Sequence, residues 1–459
     1  MPRPVRPNIL LITTDQQRYD TLGVNGSLQV RTPFLDALAQ RGVLFRHAYV
    51  QSPICIPSRA CLQTGRYPHQ HGVTYMEEVI DDTPGLPAWE VTFMERLQAA
   101  GYHTAAFGKL HMMPAKGFHE MKLTGGKGER WTRSAGLPIG LGPLGRDYAA
   151  WLEERHPGGY EAIYEQRRRP EYRANRAAIT NVLPLEEYVD YWIAENTVEF
   201  LRRDHQKPFF VWCGFCGPHG PIDPPRPYDA CYPIDEVVLP ANYQVDQNGN
   251  PRQTTAEEDR LARRYCAFYW GLVTLIDDMV GRIVGALSEN GLLESTLVLF
   301  TSDHGEMLWE FGRLGKSNFY ESVIRVPLIL VPPGSAAGPR QVEEVVEVFD
   351  LAPTILDYAQ AEVPSTMSAV SLRPPVAGSA WKRESALCLH TTEDRRTRGL
   401  CLRTRRSKYI YWGGARPEQF FDLEEDPLER RNLMGEERCR DEVARHRLLA
   451  LDRLAGVSP

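Results

Sequence analysis

Six short segments hold the residue types that do chemistry. Asp15-Gln16 supplies two side-chain oxygens, the donor type that suits a hard divalent cation. Cys55-Ile56-Pro57-Ser58-Arg59 sets a thiol four residues before a guanidinium. Gly108-Lys109-Leu110-His111 places an ammonium and an imidazole two positions apart, on one side of an extended chain. Pro218-His219-Gly220-Pro221 offers a second imidazole. Ser302-Asp303-His304-Gly305-Glu306 offers an acid beside a third, and Gly315-Lys316 a further cation. Such groups suit an anion held by cations, with metal ligands and proton carriers at hand. Each also has a plainer use. A lone cysteine is usually a small buried apolar group. An acid just past a strand is usually a helix cap. A Lys-x-His spacing recurs by chance.

Rigid elements must position these groups. Residues 8–14 are short, apolar and β-branched, and read as a buried strand with Asp15 at its C-terminal end. Residues 104–107, 208–212 and 296–301 read the same way and lead to Lys109, His219 and Asp303. Open α/β sheets bind ligands beyond that edge. Another strand is predicted over 43–50, and helices over 34–41, 93–100, 185–203 and 256–289. Cys55 is expected in a loop, with 58–62 entering a helix whose first N–H groups face an anion. Short strands over 385–390, 399–403 and 408–412 follow a Pro/Ser/Ala-rich linker at 363–380.

Cys55-x-Pro57-Ser58-Arg59 followed by Thr64-Gly65-Arg66 resembles the signature of the sulfatase family, within the alkaline phosphatase superfamily. In that family the cysteine is oxidised to formylglycine, an aldehyde whose hydrate is the nucleophile. Gly108-Lys109-x-His111, Pro218-His219-x-Pro221, Ser302–Glu306 and Gly315-Lys316 resemble further family elements. So do Arg325 to Leu328, the helix expected over 346–359, and Phe420 to Pro427. The resemblance runs from Asn8 to about Leu433, apart from 115–180. It implies one divalent cation held by Asp15, Gln16, Asp303 and His304 together with residue 55. It places Arg59, Lys109 and Lys316 around the sulfate oxygens. It makes His219 the donor to the leaving oxygen, and His111 the base that takes the spare hydroxyl's proton as sulfate is expelled. Many relatives carry a second aspartate where Gln16 stands. With an imidazole in the set, calcium and manganese both remain open. The implied partners are a small anionic sulfate ester and a formylglycine-generating maturation enzyme, and a homo-oligomer is left open.

The bulk properties fit an enzyme of this kind. The chain has 459 residues, 42% hydrophobic and 24% charged, which is ordinary for a globular protein. A formal charge of -6 gives no case for nucleic acid. No apolar run near the start is long enough for a membrane span or a secretory leader. Nine scattered cysteines fit a reducing compartment, so a cytoplasmic location is expected. Residues 115–180 resist reading: glycine and proline interrupt every period, and twelve basic residues outnumber eight acidic ones. They are read as a largely solvated insertion, or as a lid over an anionic substrate.

The expected fold is α/β: a large, mostly parallel sheet between helices, then a smaller antiparallel sheet with a helix. Residues 1–375 would form the catalytic unit and 376–459 the smaller one. The expected activity is hydrolysis of aryl or alkyl sulfate esters. The rival is a phosphonate monoester or phosphodiester hydrolase of the same superfamily, and the Lys109/His111 pair favours the sulfatase. Two further classes are weighed: a silent binding protein, which the intact motif set disfavours, and a thiol redox protein using Cys213 and Cys216. That C-x-x-C is read as packing.

Overall fold

The computed structural model describes residues 6–76, 85–112, 114–127, 146–334, 340–381 and 383–456. Its centre is a sheet of eight strands: β1 (Asn8–Asp15), β2 (Val43–Tyr49), β3 (His103–Gly108), β4 (Glu120–Leu123), β5 (Phe209–Pro218), β6 (Thr296–Ser302), β7 (Leu328–Val331) and β8 (Arg340–Glu347). Their order across the sheet is β4-β3-β5-β1-β6-β7-β2-β8. Only β7 runs against its neighbours; the other pairings are parallel.

A parallel sheet needs cover on both faces, and the alternation of side chains supplies two apolar surfaces. Leu10, Ile12, Val211 and Val298 face one core, shared with the helices Val189–Leu201 and Ala256–Glu289. Ile9, Leu11, Phe210, Trp212 and Leu299 face the other, shared with Phe93–Ala99 and Leu351–Tyr358. Burial on both faces is why these strands read as unbroken apolar runs.

A second sheet of four antiparallel strands follows: β9 (Ser385–Thr391), β10 (Arg398–Thr404), β11 (Ser407–Tyr411) and β12 (Gln419–Asp422), in the order β12-β11-β10-β9. The helix Arg440–Ala455 buries Ala450 against Leu387 and Leu402 of this sheet. The α/β architecture is the one expected.

The differences from the sequence reading have local causes. Cys55 is not in a loop but is the first residue of the helix Cys55–Thr64. Pro57 falls in its first turn, where a missing N–H costs nothing. The expected helix over 185–203 is a 3-10 turn, Leu185–Glu187, and then Val189–Leu201, with Tyr188 extended between them. The expected helix over 346–359 is the end of β8, a 3-10 turn Val348–Asp350, and Leu351–Tyr358. Asp350 turns the chain there by accepting the Glu347 N–H at 2.9 Å. Within 115–180, β4 extends the sheet, and Tyr148, Leu152, Ile163 and Tyr164 enter the main core. That stretch is therefore partly structural; 128–145 lie outside the described residues.

Candidate active site

Four adjacent strands deliver the site. β3, β5, β1 and β6 run parallel, and their C-terminal ends carry Lys109, His219, Asp15 and Asp303 to one edge. Close contact there depends on glycine. A Cβ on Gly108 would stand 2.2 Å from the Gly214 carbonyl oxygen, and one on Gly214 would stand 2.3 Å from the Lys109 carbonyl oxygen. The chain then turns sharply: Gln16 and His111 adopt left-handed backbone, φ 70° and 51°. Non-glycine residues pay for that conformation, and such strain gathers at functional sites.

The helix Cys55–Thr64 is buried along its whole length. Gly65, left-handed at φ 66°, ends it, donating its N–H to the Cys61 carbonyl at 2.8 Å. The helix is tied to the strand edge by Ser58, whose hydroxyl donates to the Asp303 carbonyl at 2.6 Å. Arg59, 1% exposed, spans the site. Its Nε donates to Asp303 Oδ2 at 2.7 Å, Nη1 to the Lys109 carbonyl at 2.8 Å, and Nη2 to Asp15 Oδ2 at 3.3 Å. Lys109 Nζ lies 2.7 Å from the same Asp15 oxygen.

Asp15, Asp303 and His304 form one buried cluster whose ligand atoms all lie within 4.8 Å of one another. His304 Nδ1 donates to the Gly305 carbonyl at 2.9 Å, so Nε2 keeps a lone pair. That lone pair meets the Lys316 ammonium at 2.8 Å. Nε2 stands 3.6 Å from Asp303 Oδ1 and 3.8 Å from Asp15 Oδ1. Asp15 Oδ1 is buried and makes no hydrogen bond among the described residues. A buried carboxylate oxygen without a donor is costly, and a cation here would satisfy it. Two carboxylates, an imidazole lone pair and the Gln16 amide are a donor set a divalent cation accepts. The residues present fit the metal.

The protonation states follow from the same crowding. Burial alone would raise the Asp15 carboxyl; Lys109, His219, Lys316 and Arg59 reverse that and hold it well below its ordinary value. Burial pulls His304 down to about 4, with Lys316 adding and the two aspartates opposing. His111 is driven down by burial and then by Lys109. His219 is lowered chiefly by burial, with Asp15 opposing and Lys316 and Lys109 adding. His219 Nδ1 donates to the Gly220 carbonyl at 2.7 Å, so in the neutral ring Nε2 carries the lone pair. Burial pushes the Cys55 thiol up, against the pull of Lys316 and Lys109. An unmodified Cys55 is therefore a poor nucleophile.

A family model, Sulfatase, matches residues 7–361. The chain belongs to the sulfatase family. A second model, N-sulphoglucosamine sulphohydrolase C-terminal, matches 309–453. An arylsulfatase of Clostridium perfringens (strain 13 / Type A) is 31% identical, covering 98% of this chain and 95% of its own length. A choline-sulfatase of Rhizobium meliloti (strain 1021) is 30% identical, covering 93% and 82%. Among solved structures, the phosphonate monoester hydrolase of Agrobacterium radiobacter superposes with a TM-score of 0.80 at 23% identity, covering 98% of this chain and 96% of that one, and shares the fold. This protein is accordingly a sulfuric ester hydrolase.

The candidate site holds further residues to which the motifs gave no role. Ser302 Oγ accepts the Gln17 N–H and donates to the His304 carbonyl, both at 2.9 Å. Tyr269, from the helix Ala256–Glu289, donates to the Gln16 carbonyl at 2.6 Å. Only a shared neighbourhood in space marks Tyr269, since it lies 253 residues from Gln16. Cys213 and Cys216 form no disulfide; both lie on β5, buried in the core, with burial raising both thiols. No helix of the described residues is long and apolar enough to cross a membrane.

Proposed function

We propose that this sulfatase cleaves small sulfate monoesters with residue 55 as nucleophile, after a maturation enzyme converts Cys55 to formylglycine. A hydrated aldehyde there supplies one hydroxyl for attack on sulfur and a second whose proton is removed to release sulfate. Asp15, Gln16, Asp303 and His304 would hold a divalent cation, calcium or manganese, which would supply polarisation of a sulfate oxygen and of the attacking hydroxyl. Residues 1–375 carry the chemistry in this reading, and 376–459 form the smaller α+β unit.

The observation that carries the reading is the setting of Cys55. It opens a buried helix pinned to Asp303, within the fields of Lys316, Asp15, Lys109 and Asp303. The chain's own groups then have distinct work. Lys109 and Lys316 neutralise sulfate oxygens, charge that grows as the ester bond breaks. Arg59 spends its N–H groups on Asp15, Asp303 and the Lys109 carbonyl, so it fixes the ligands while lending its charge. His219 Nε2 faces the leaving oxygen. Burial keeps it neutral in the free enzyme, and the incoming anion raises its proton affinity so that it can act as the acid. His111, also held neutral, is ready to accept a proton.

The test uses protein produced alongside a maturation enzyme. The peptide containing Cys55 should show the mass change of thiol to aldehyde, and aryl sulfate turnover should scale with the converted fraction. Turnover by fully unconverted protein would refute the nucleophile. Faster turnover of an aryl phosphonate than of the aryl sulfate would favour the phosphonate monoester hydrolase reading.

A further inference from the structure

Glu306 closes the Ser302–Glu306 motif, yet nothing above gives it a task. It is fully buried. Its Oε1 accepts the backbone N–H of Leu308 at 3.2 Å and that of Gly315, the residue before Lys316. Its Oε2 accepts the side-chain amide nitrogen of Gln16. Gln16 is clamped elsewhere as well: its backbone N–H reaches Asp303 Oδ1 at 3.1 Å, and its carbonyl accepts from Tyr269.

A glutamine amide has one donor end and one acceptor end, of almost the same shape. Only the hydrogen-bond partner decides which way round it sits. An ionised carboxylate only accepts, and three N–H donors favour that form of Glu306, so it takes the nitrogen end and not the oxygen end. We infer that Glu306 is a positioning residue that sets the flip of the Gln16 amide, so that oxygen and not NH₂ is offered to the cation beside Asp15, Asp303 and His304. The inference rests on the metal reading above and deepens it. By the same contacts Glu306 ties the first ligand loop to the loop carrying Lys316.

Substitution should expose the flip. In Glu306→Gln, the two backbone donors at Leu308 and Gly315 hold the new amide's oxygen, so its NH₂ must face Gln16. Gln16 then has to turn its own oxygen toward residue 306 and its NH₂ toward the cation, which NH₂ cannot ligate. Groups that orient metal ligands typically contribute roughly 10–100-fold in affinity. A loss of that size is expected for Mn²⁺ and Ca²⁺, measured by competition with a chromophoric chelator on metal-free protein, with thermal melting to follow the fold.

The rescue is specific. Gln16→Glu puts an acceptor at both ends of residue 16, so it should raise affinity much more when combined with Glu306→Gln than in wild type, where two carboxylates would collide. The double variant should return to within about tenfold of wild type, and it carries the test if Glu306→Gln alone melts early. Full affinity in Glu306→Gln overturns the inference, as does an equal effect of Gln16→Glu in both backgrounds. Wild-type protein that binds neither ion would overturn the metal reading itself, and this inference with it.

Discussion

Two of the charge clusters among the described residues lie at the two flanks of one stretch of chain. The cluster proposed as catalytic sets Asp15 and Asp303 against Arg59, Lys109 and Lys316. The other joins Glu347 and Asp350 to Arg383, Arg453 and Tyr67, just past the catalytic helix. There each carboxylate oxygen has a donor. Glu347 Oε1 accepts from Tyr67 at 2.8 Å and from the Leu387 N–H at 3.0 Å, while Oε2 takes Arg383 at 3.1 Å and Arg453. Asp350 accepts the Val370 N–H at 2.8 Å, the Glu347 N–H and Arg383. Burial would raise the Glu347 carboxyl, and Arg453 and Arg383 hold it below its ordinary value instead. Charges there balance, two against two. In the catalytic cluster cations outnumber the ligand carboxylates, Asp15 Oδ1 lacks a donor, and the His304 lone pair holds a lysine. The closed cluster welds the small sheet to the helix Cys55–Thr64; the open one is where the proposal above puts a cation and an anionic ester. The closed cluster's unpaired atoms are Arg383 Nε and Nη2, donors rather than acceptors.

The comparison breaks if loss of chemistry and loss of stability travel together. The largest separation should come from Cys55→Ala. Turnover should fall by roughly 10⁴-fold or more, the scale seen when a nucleophile is removed. The thermal midpoint should move little from that of unconverted wild type, where a thiol gives way to a methyl beside Ile54, Val73 and Met112. Steady-state assay and calorimetry on the same sample decide it.

Glu347→Ala should do the reverse. It strands the buried Arg453 guanidinium and leaves Arg383 with Asp350 alone, and breaking a buried pair typically costs about 3–5 kcal/mol. Urea titration should register that loss, while the molecules that remain folded keep their kcat. An intact unfolding free energy would mean the weld contributes nothing.

Lys316→Met probes the surplus cation. One electrostatic contact to the reacting group is typically worth about 10²–10³-fold in kcat. Stability of the metal-free protein should stay level or rise, since a positive charge leaves a cluster rich in them. A midpoint drop comparable to that of Glu347→Ala would show that the open cluster is structural too.

What the sequence disclosed follows the same division. The central strands were legible because burial on both faces leaves uninterrupted apolar runs, as in Ile9 to Ile12. The site was legible because its groups sit at strand ends within short motifs. β4 and β7 were missed because four residues are too few for a pattern, and half-exposed Glu120–Leu123 has no apolar face. The weld was illegible for a different reason. Tyr67 and Arg453 are 386 residues apart, and no local spacing links them. Glu306 stood inside a recognised motif, but its partner Gln16 is 290 residues away, so its role needed coordinates.

The smallest effect concerns His71, in the turn Pro68–His71 that joins the two clusters. It is fully buried. Its Nδ1 accepts the Val73 N–H at 3.1 Å, so Nε2 carries the proton and faces Cys61 Sγ at 3.3 Å. Burial, with Arg66 and His69 adding, lowers its pKa to about 3. In the unfolded chain it titrates near its ordinary 6.5. Below that pH the unfolded state binds a proton that the folded state refuses, so stability falls as pH falls, from about 6.5 toward 3. One such group contributes up to about 1.4 kcal/mol per pH unit inside that window. His71→Asn keeps an acceptor for the Val73 N–H and cannot titrate. Urea unfolding at pH 7.5 and 5.5 should therefore show a shallower loss in the variant, by about 1.4 kcal/mol. The other buried histidines keep the wild-type slope in both proteins, so the difference isolates His71. Equal slopes would mean that the turn opens before His71 takes its proton, and that the chain between the clusters is looser than either of them.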